Sequence, residues 1–271
     1  MNLKRILTSV IGFPLVVLFI DLGTAPVIDF AIMIIAIICM YEYIGVISKV
    51  CTPIKWIMYL STVIIFLVSV IPIDIIKYIL LFSMPITLLI LFLHIIISDM
   101  KITFKDVAYT FLGIAYITGF IFFVGLIIIQ EKGKLAFGYT IMTAWATDVF
   151  AFTAGILIGK HHFSKVSPKK TIEGCVAGII GAIIVGFIYT IVASKVGAIN
   201  IDGIQYLFAV IVPLILSLIS QIGDFTASSI KRFANAKDYG NMLPGHGGML
   251  DRIDSVIFIA PFVYMVMLIM L

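Results

Sequence analysis

Apolar residues run in long stretches separated by short polar breaks. The pattern predicts helical spans at roughly 6–22, 26–47, 54–71, 75–97, 106–128, 138–159, 173–194, 206–224 and 254–271. Most of these stretches approach or reach the ~20 residues a helix needs to cross the hydrocarbon core of a bilayer. The first follows Lys4-Arg5 as a signal peptide would, but the LGTAPV after it lacks an A-x-A cleavage site, so it is expected to be retained. No long linker, low-complexity tract or soluble domain interrupts the series. The chain reads as a single membrane domain, with N-terminal helices in 1–137 and the polar motifs in 138–271.

Composition fixes the class. Hydrophobic residues make up 62%, charged residues 12%, and the mean hydropathy is +1.24. Soluble domains are about 45–50% apolar and about 25% charged. The fold class is therefore all-α, a polytopic integral membrane protein of about nine helices. The three cysteines, Cys39, Cys51 and Cys175, have no CxxC spacing and indicate neither a disulfide framework nor a zinc site. Placing the N-terminus in the cytoplasm leaves only Lys77, Lys132, Lys134 and Lys195, of 18 Lys and Arg, on the opposite side. Both strongly polar loops, 160–172 and 225–253, then face the cytoplasm of a cell-membrane protein.

Charge is scarce, yet residues 228–254 hold Lys231, Arg232, Lys237 and Arg252 together with Asp238, Asp251 and Asp254, and His246 stands between glycines. Cations beside carboxylates on a glycine-rich backbone suit a metal-bound polyphosphate. The eighth span meets no helix breaker through ISQIGDFTASSIKRFANA, so the helix is expected to continue beyond residue 224. Asp224, Ser228, Lys231 and Arg232 then share one side. Asp251 and Asp254, three apart at the start of the ninth span, also share a face. The intervening loop is long enough to bring Asp224 beside Asp251, and oxygen ligands from two helices suit Mg²⁺. LPGHGG offers backbone N–H groups, Gly247 and Gly248 included, that phosphate oxygens can approach closely.

Simpler readings fit some of these residues. The four cations could be topological anchors or contacts to anionic headgroups. Asp251 and Asp254 could answer the dipole of the last helix, and His246 could be an ordinary interfacial histidine. These readings leave Asp224 unexplained, along with the crowding of every feature into one loop.

The run Ser228-x-Ile230-Lys231-Arg232-x4-Lys237-Asp238-x-Gly240-x2-Leu243-Pro244-x-His246-Gly247-Gly248-Met249-x-Asp251-Arg252-Ile253-Asp254 resembles the hallmark motif of phosphatidate cytidylyltransferases, also called CDP-diacylglycerol synthases. A second stretch is similar to that family's other polar segment: Asp148 to Gly155, Gly159-Lys160, then Ser167-Pro168-Lys169-Lys170-Thr171-x-Glu173-Gly174. It departs at Ile156, where a basic residue often stands, and at Ile172, where an aromatic residue often precedes Glu-Gly. Read without the resemblance, Lys169-Lys170 could be topological, and Thr171 with Glu173 could cap the seventh span. Gly174, Gly178 and Gly181 suit close helix packing. Asp148 lies within a span, so its charge needs an interior partner.

The resemblance implies a CTP:phosphatidate nucleotidyltransferase of phospholipid biosynthesis, with CTP, phosphatidate and membrane lipids as partners, and a homodimer. No nucleic-acid partner is expected. The expected metal ligands are Asp224 and Asp251, holding Mg²⁺, with a second, monovalent cation also considered. Catalytic roles are expected for Lys231, Arg232, Lys237, Asp238, His246, Arg252 and Asp254. Substrate contacts are expected for Asp148, Lys169, Lys170, Thr171, Glu173, Ser228, Gly247 and Gly248.

Other signals carry less. GILIGKHH at 155–162 is one residue short of a P-loop, and His161 replaces its Ser/Thr. Asp202-Gly203 does not begin a DGxxAR pattern. Asp29, Glu42 and His94 lie in spans and read as internally paired structural residues. The alternative function is an ion or metabolite transporter with Asp29, Glu42, Asp148 and Asp224 along its path, although no pair of broken helices marks corresponding halves.

Overall fold

The computed structural model describes residues 22–68, 73–162, 164, 166–200, 203–242 and 247–270. All but the last residue of the first expected span, and the Leu243–His246 stretch of the motif loop, lie outside the described residues. Most of the described residues are helical: α1 (Ala25–Ile47), α2 (Lys55–Val68), α3 (Ile73–Ile97), α4 (Phe104–Gly113), a π-helical segment (Ile114–Gly119), α5 (Phe120–Ile129), α6 (Gly133–Ile158), α7 (Ile172–Lys195), α8 (Gly203–Phe233) and α9 (Leu250–Met270). Among the described residues there is no strand, only an isolated bridge between His162 and Thr171. Among the described residues, six helices are long and apolar enough to cross a bilayer, counting α4 through α5 as one, and Lys55–Leu67 and Phe82–Ile97 form shorter apolar helices. The chain is an all-α polytopic membrane protein.

Local chemistry explains where the boundaries moved. The fifth span starts at Phe104 because Thr103 and Asp106 form a capping box. The Thr103 backbone N–H donates to Asp106 Oδ2 at 2.8 Å, and Asp106 N–H donates to Thr103 Oγ1 at 3.4 Å. Helix α8 continues to Phe233, as the missing breaker predicts, and closes with Asn235 in the left-handed region at φ 51°.

The chain forms two compact units. The first comprises residues up to Gly125 together with Ile230–Arg252. Its core holds Met40, Tyr43, Ile47, Met58 and Ile117, all fully buried. Polar groups in this apolar interior find partners on other helices, as a membrane interior requires. Tyr43 Oη donates to the Tyr109 carbonyl at 3.0 Å, Ile54 N–H donates to Thr110 Oγ1 at 3.0 Å, and the Thr62 and Thr118 hydroxyls lie 2.7 Å apart. Gly113, immediately before the π-helical turn, meets Tyr43 so closely that a Cβ there would lie 2.5 Å from its ring.

The second unit comprises Leu126–Ser229 and Ile253–Leu271. Here α6 and α7 pack backbone to backbone through the expected glycines. A Cβ on Gly178 would stand 2.9 Å from the Thr147 carbonyl oxygen, and one on Gly181 would stand 2.2 Å from Phe150. Thr147 Oγ1 donates to Ser217 Oγ at 2.9 Å. Elsewhere on α7, Ile172, Val176, Ile180, Ile184, Ile188 and Val192 recur every four residues, each about half exposed. That stripe is a lipid-facing surface.

Candidate active site

The first unit holds the core of the motif loop. The last turn of α8 carries Lys231 and Arg232, and the Asn235 and Ala236 amides donate back to the Arg232 and Lys231 carbonyls at 3.0 and 2.8 Å. The reversal brings the loop against Asp251 in the first turn of α9. Lys231, 9% exposed, donates to Asp251 Oδ1 at 2.6 Å and lies 5.2 Å from the centre of the Tyr239 ring. The other carboxylate oxygen, Asp251 Oδ2, accepts from Tyr239 N–H at 2.8 Å and from Gly248 N–H at 3.1 Å. Asp251 is thus gripped by three donors, and its side chain is 4% exposed.

Gly247 adopts φ +85°, which turns the chain so that the Gly248 amide faces this carboxylate. The expected glycine turn is present, but in this conformation its Gly248 N–H serves Asp251. Arg232 Nη1 donates to the Ala236 carbonyl at 3.0 Å. Arg252 lies on the first turn of α9 and is exposed, as are Lys237 and Asp238 on the loop. His246 lies outside the described residues. A cavity of about 600 Å³ opens beside the loop, lined among others by Lys49, Lys55, Asp238, Tyr239 and Asn241.

Sequence reasoning set Glu42 aside as a structural residue, and its partners are in the motif loop. Its Oε1 accepts from Met249 N–H at 2.9 Å and its Oε2 from Leu250 N–H at 2.8 Å. Nothing in the local pattern of α1 signals this, because the partners are more than two hundred residues away. His94 lies against Trp56, with ring centres 5.9 Å apart.

The second unit brings together the other polar segment. Lys170 forms an ion pair with Asp224, both about a quarter exposed, and its ammonium stands 4.4 Å from the centre of the Phe225 ring. Asp148, on α6, lies within electrostatic reach of both Asp224 and Lys170. Thr171 caps α7 by accepting from Gly174 N–H at 3.1 Å. Glu173 gathers the strap before α7: Oε2 accepts from Lys160 N–H at 3.1 Å and His161 N–H at 3.3 Å, and Oε1 lies 2.6 Å from His161 Nδ1. Lys169 is exposed, and Ser228 is half-buried on α8. Asp254 is 7% exposed on α9, one turn after Asp251, and its Oδ1 accepts from the Ser255 N–H at 2.8 Å.

Both carboxylates expected to bind Mg²⁺ are neutralised by lysine ammonium groups, Asp251 by Lys231 and Asp224 by Lys170. Hard anionic oxygens already facing a cation are the donor chemistry that Mg²⁺ uses, so these residues fit it. Among the described residues no group of three or more His, Cys, Asp or Glu side chains converges, and water and phosphate oxygens would have to complete the shell.

A model described as the cytidylyltransferase family matches residues 3–270. The chain belongs to that family. Among its relatives, the phosphatidate cytidylyltransferase of Bacillus subtilis is 34% identical over 178 residues, 65% of this chain and 64% of that protein. The phosphatidate cytidylyltransferase of Thermotoga maritima is 34% identical over 172 residues, 62% of each chain. That of Staphylococcus haemolyticus is 34% identical over 174 residues, 64% of this chain and 63% of that protein. The matched stretch therefore spans less than two thirds of these relatives' length.

Proposed function

We propose that this cytidylyltransferase-family chain joins CTP and phosphatidate to give CDP-diacylglycerol and pyrophosphate. The observation that carries the reading is the pairing of a lysine with an acidic residue in each of the two polar segments, in a chain otherwise built of apolar helices. A phosphate monoester has a second pKa of about 6, so the lipid phosphate is largely ionised at neutral pH and needs no strong base. Its oxygen forms a bond to the α-phosphorus of CTP as the bond to the bridging oxygen breaks, and pyrophosphate leaves with that electron pair.

The protein's task is then positioning and charge neutralisation. Lys231, Arg232, Lys237 and Arg252 offset the triphosphate and the lipid phosphate, and Lys169 and Lys170 do the same from the other segment. Asp148, Ser228 and the Gly247–Gly248 turn contribute polar contacts to substrate, with Asp238, His246 and Asp254 near the transfer. Thr171 and Glu173 hold the strap that presents Lys169 and Lys170. Asp224 and Asp251 would hold Mg²⁺, which when bound supplies electrostatic stabilisation of charge on the phosphate oxygens. Lys170, whose partly exposed pair opens at little cost, is then free to meet phosphate, while Lys231 keeps Asp251 in place. Acyl chains remain in the bilayer, which explains a nucleotide-using enzyme made of membrane helices.

The same reading puts both polar segments on the cytoplasmic face of the cell membrane, in keeping with the Lys and Arg distribution. It also expects a homodimer, which mass measurement in detergent checks. Purified protein given CTP, phosphatidate and Mg²⁺ should release pyrophosphate in step with CDP-diacylglycerol, and diacylglycerol should not replace phosphatidate. Folded protein that releases no pyrophosphate overturns the reading.

A further inference from the structure

Glu42 is an acid in the apolar body of α1, 3% exposed, a costly place for a carboxylate unless it is put to use. Its two oxygens take the Met249 and Leu250 N–H groups. These amides lie at the N-terminus of α9, where backbone donors lack intrahelical partners and the helix dipole favours an anion. Glycines of the motif close on the same carboxylate from both sides of Leu243–His246. A Cβ on Gly240 would lie 2.7 Å from Glu42 Oε1, and one on Gly248 would lie 2.7 Å from Oε2.

The residues that touch Glu42 are next to, or the same as, those that hold Asp251. Tyr239 gives its N–H to Asp251, while Gly240 packs on Glu42. Gly248 does both, donating its N–H to Asp251 Oδ2 while its Cα faces Glu42. Leu250, bound to Glu42, immediately precedes Asp251. One buried carboxylate is therefore the template on which the motif loop closes. The two glycines are required because only a bare backbone can approach it.

We propose that Glu42 is a positioning residue for the transfer reaction: it fixes the Gly240 and Gly248 backbone and the first turn of α9, and so sets the direction of Asp251. This rests on the cytidylyl-transfer reading. Both oxygens are needed, because Gln offers one acceptor and turns an NH₂ toward the other N–H.

Glu42→Gln, Glu42→Asp and Gly248→Ala, in the full-length protein, test it. The Gln variant should insert normally, lose about 10²-fold in kcat as expected for a small misplacement of reacting groups, and need several-fold more Mg²⁺ for half-maximal rate. Its KM for phosphatidate should stay the same. Without substrate or metal, hydrogen exchange should quicken at the Met249 and Leu250 amides but not along residues 106–128. Gly248→Ala should mimic this loss, and Glu42→Asp should restore part of it in the double variant, because the shorter acid makes room for the new Cβ.

A Glu42→Gln protein that merely melts lower, with normal turnover per folded molecule and normal Mg²⁺ requirement, overturns the proposal. If it fails to fold, the Gly248→Ala and double-variant comparison decides. Should the unaltered protein release no pyrophosphate, the functional reading falls, and the exchange measurement still decides whether Glu42 holds the loop.

Discussion

The Lys231–Asp251 and Lys170–Asp224 pairs have the same chemistry in different settings. Asp251 is almost fully buried, with a lysine and two backbone amides fixed on its oxygens. Asp224 is about a quarter exposed on α8, and its ammonium partner comes from the end of a flexible side chain on the strap. Burial in a low-dielectric site makes a pair rigid and makes its loss expensive, whereas exposure makes a pair cheap to open. The first carboxylate is therefore preorganised and the second adjustable.

The sharpest way to break this comparison is to neutralise both acids. Asp251→Asn and Asp224→Asn should each lower kcat by at least about 10²–10³-fold, the loss expected when electrostatic stabilisation of the transition state is removed. The two should differ in stability. Asp251→Asn strips Lys231 of its buried partner and should lower the melting temperature clearly, while Asp224→Asn should melt close to the unaltered protein. Pyrophosphate release and unfolding in detergent measure the two effects. Near-normal turnover of Asp224→Asn at ordinary Mg²⁺ would remove it from the metal-binding set.

The next effect comes from the lysines. Lys231→Met leaves a buried carboxylate with backbone donors alone and should cost about 3 kcal/mol of stability, the low end for breaking a buried pair. Lys170→Met should cost well under about 1 kcal/mol, since its pair is partly exposed, yet it should raise KM for CTP or phosphatidate. Equal stability losses in thermal unfolding would erase the distinction between the pairs.

Much of this was legible in the sequence, for a physical reason. The apolar runs within the described residues, the missing helix breaker before Phe233 and the glycines of α7 are local signals, and they match the helices and the close packing found there. The span expected from 254 starts at 250, because Glu42 satisfies the Met249 and Leu250 N–H groups at the N-terminus of α9 and the helix dipole favours Asp251 in its first turn. The π-helical turn at Ile114–Gly119 has no sequence period of its own. Partnerships were the hardest to read. Lys170 with Asp224, and Glu42 with Met249 and Leu250, join residues far apart in the chain, and neither spacing nor hydropathy carries that pairing. The sequence reading set Asp224 and Asp251 as metal ligands without foreseeing that each would carry a lysine of its own.

The smallest effect belongs to Lys169. It is exposed and neighbours the paired lysine, so Lys169→Cys should change stability by no more than about 0.5 kcal/mol and reduce turnover only modestly. The new thiol should be labelled from the cytoplasmic side of sealed vesicles only. Cys51 is a weak competitor for the label, because desolvation, with the Asp106 charge adding to it, pushes its pKa up to about 11. Labelling at residue 169 from the outside would put this strap on the wrong face for a cytoplasmic substrate.

The lipid-facing stripe of α7 runs from Ile172 to Val192, and at 1.5 Å per residue it measures about 30 Å, the thickness of a hydrocarbon core. It begins one residue after the Thr171 cap, so the bilayer's own thickness sets the height at which Lys170 and Asp224 meet the headgroups. In a thinner membrane α7 must lean to keep its stripe covered, and the level of the ion pair against the lipid phosphates changes with it. The helix that follows Lys170 is thus also a gauge of the membrane around it.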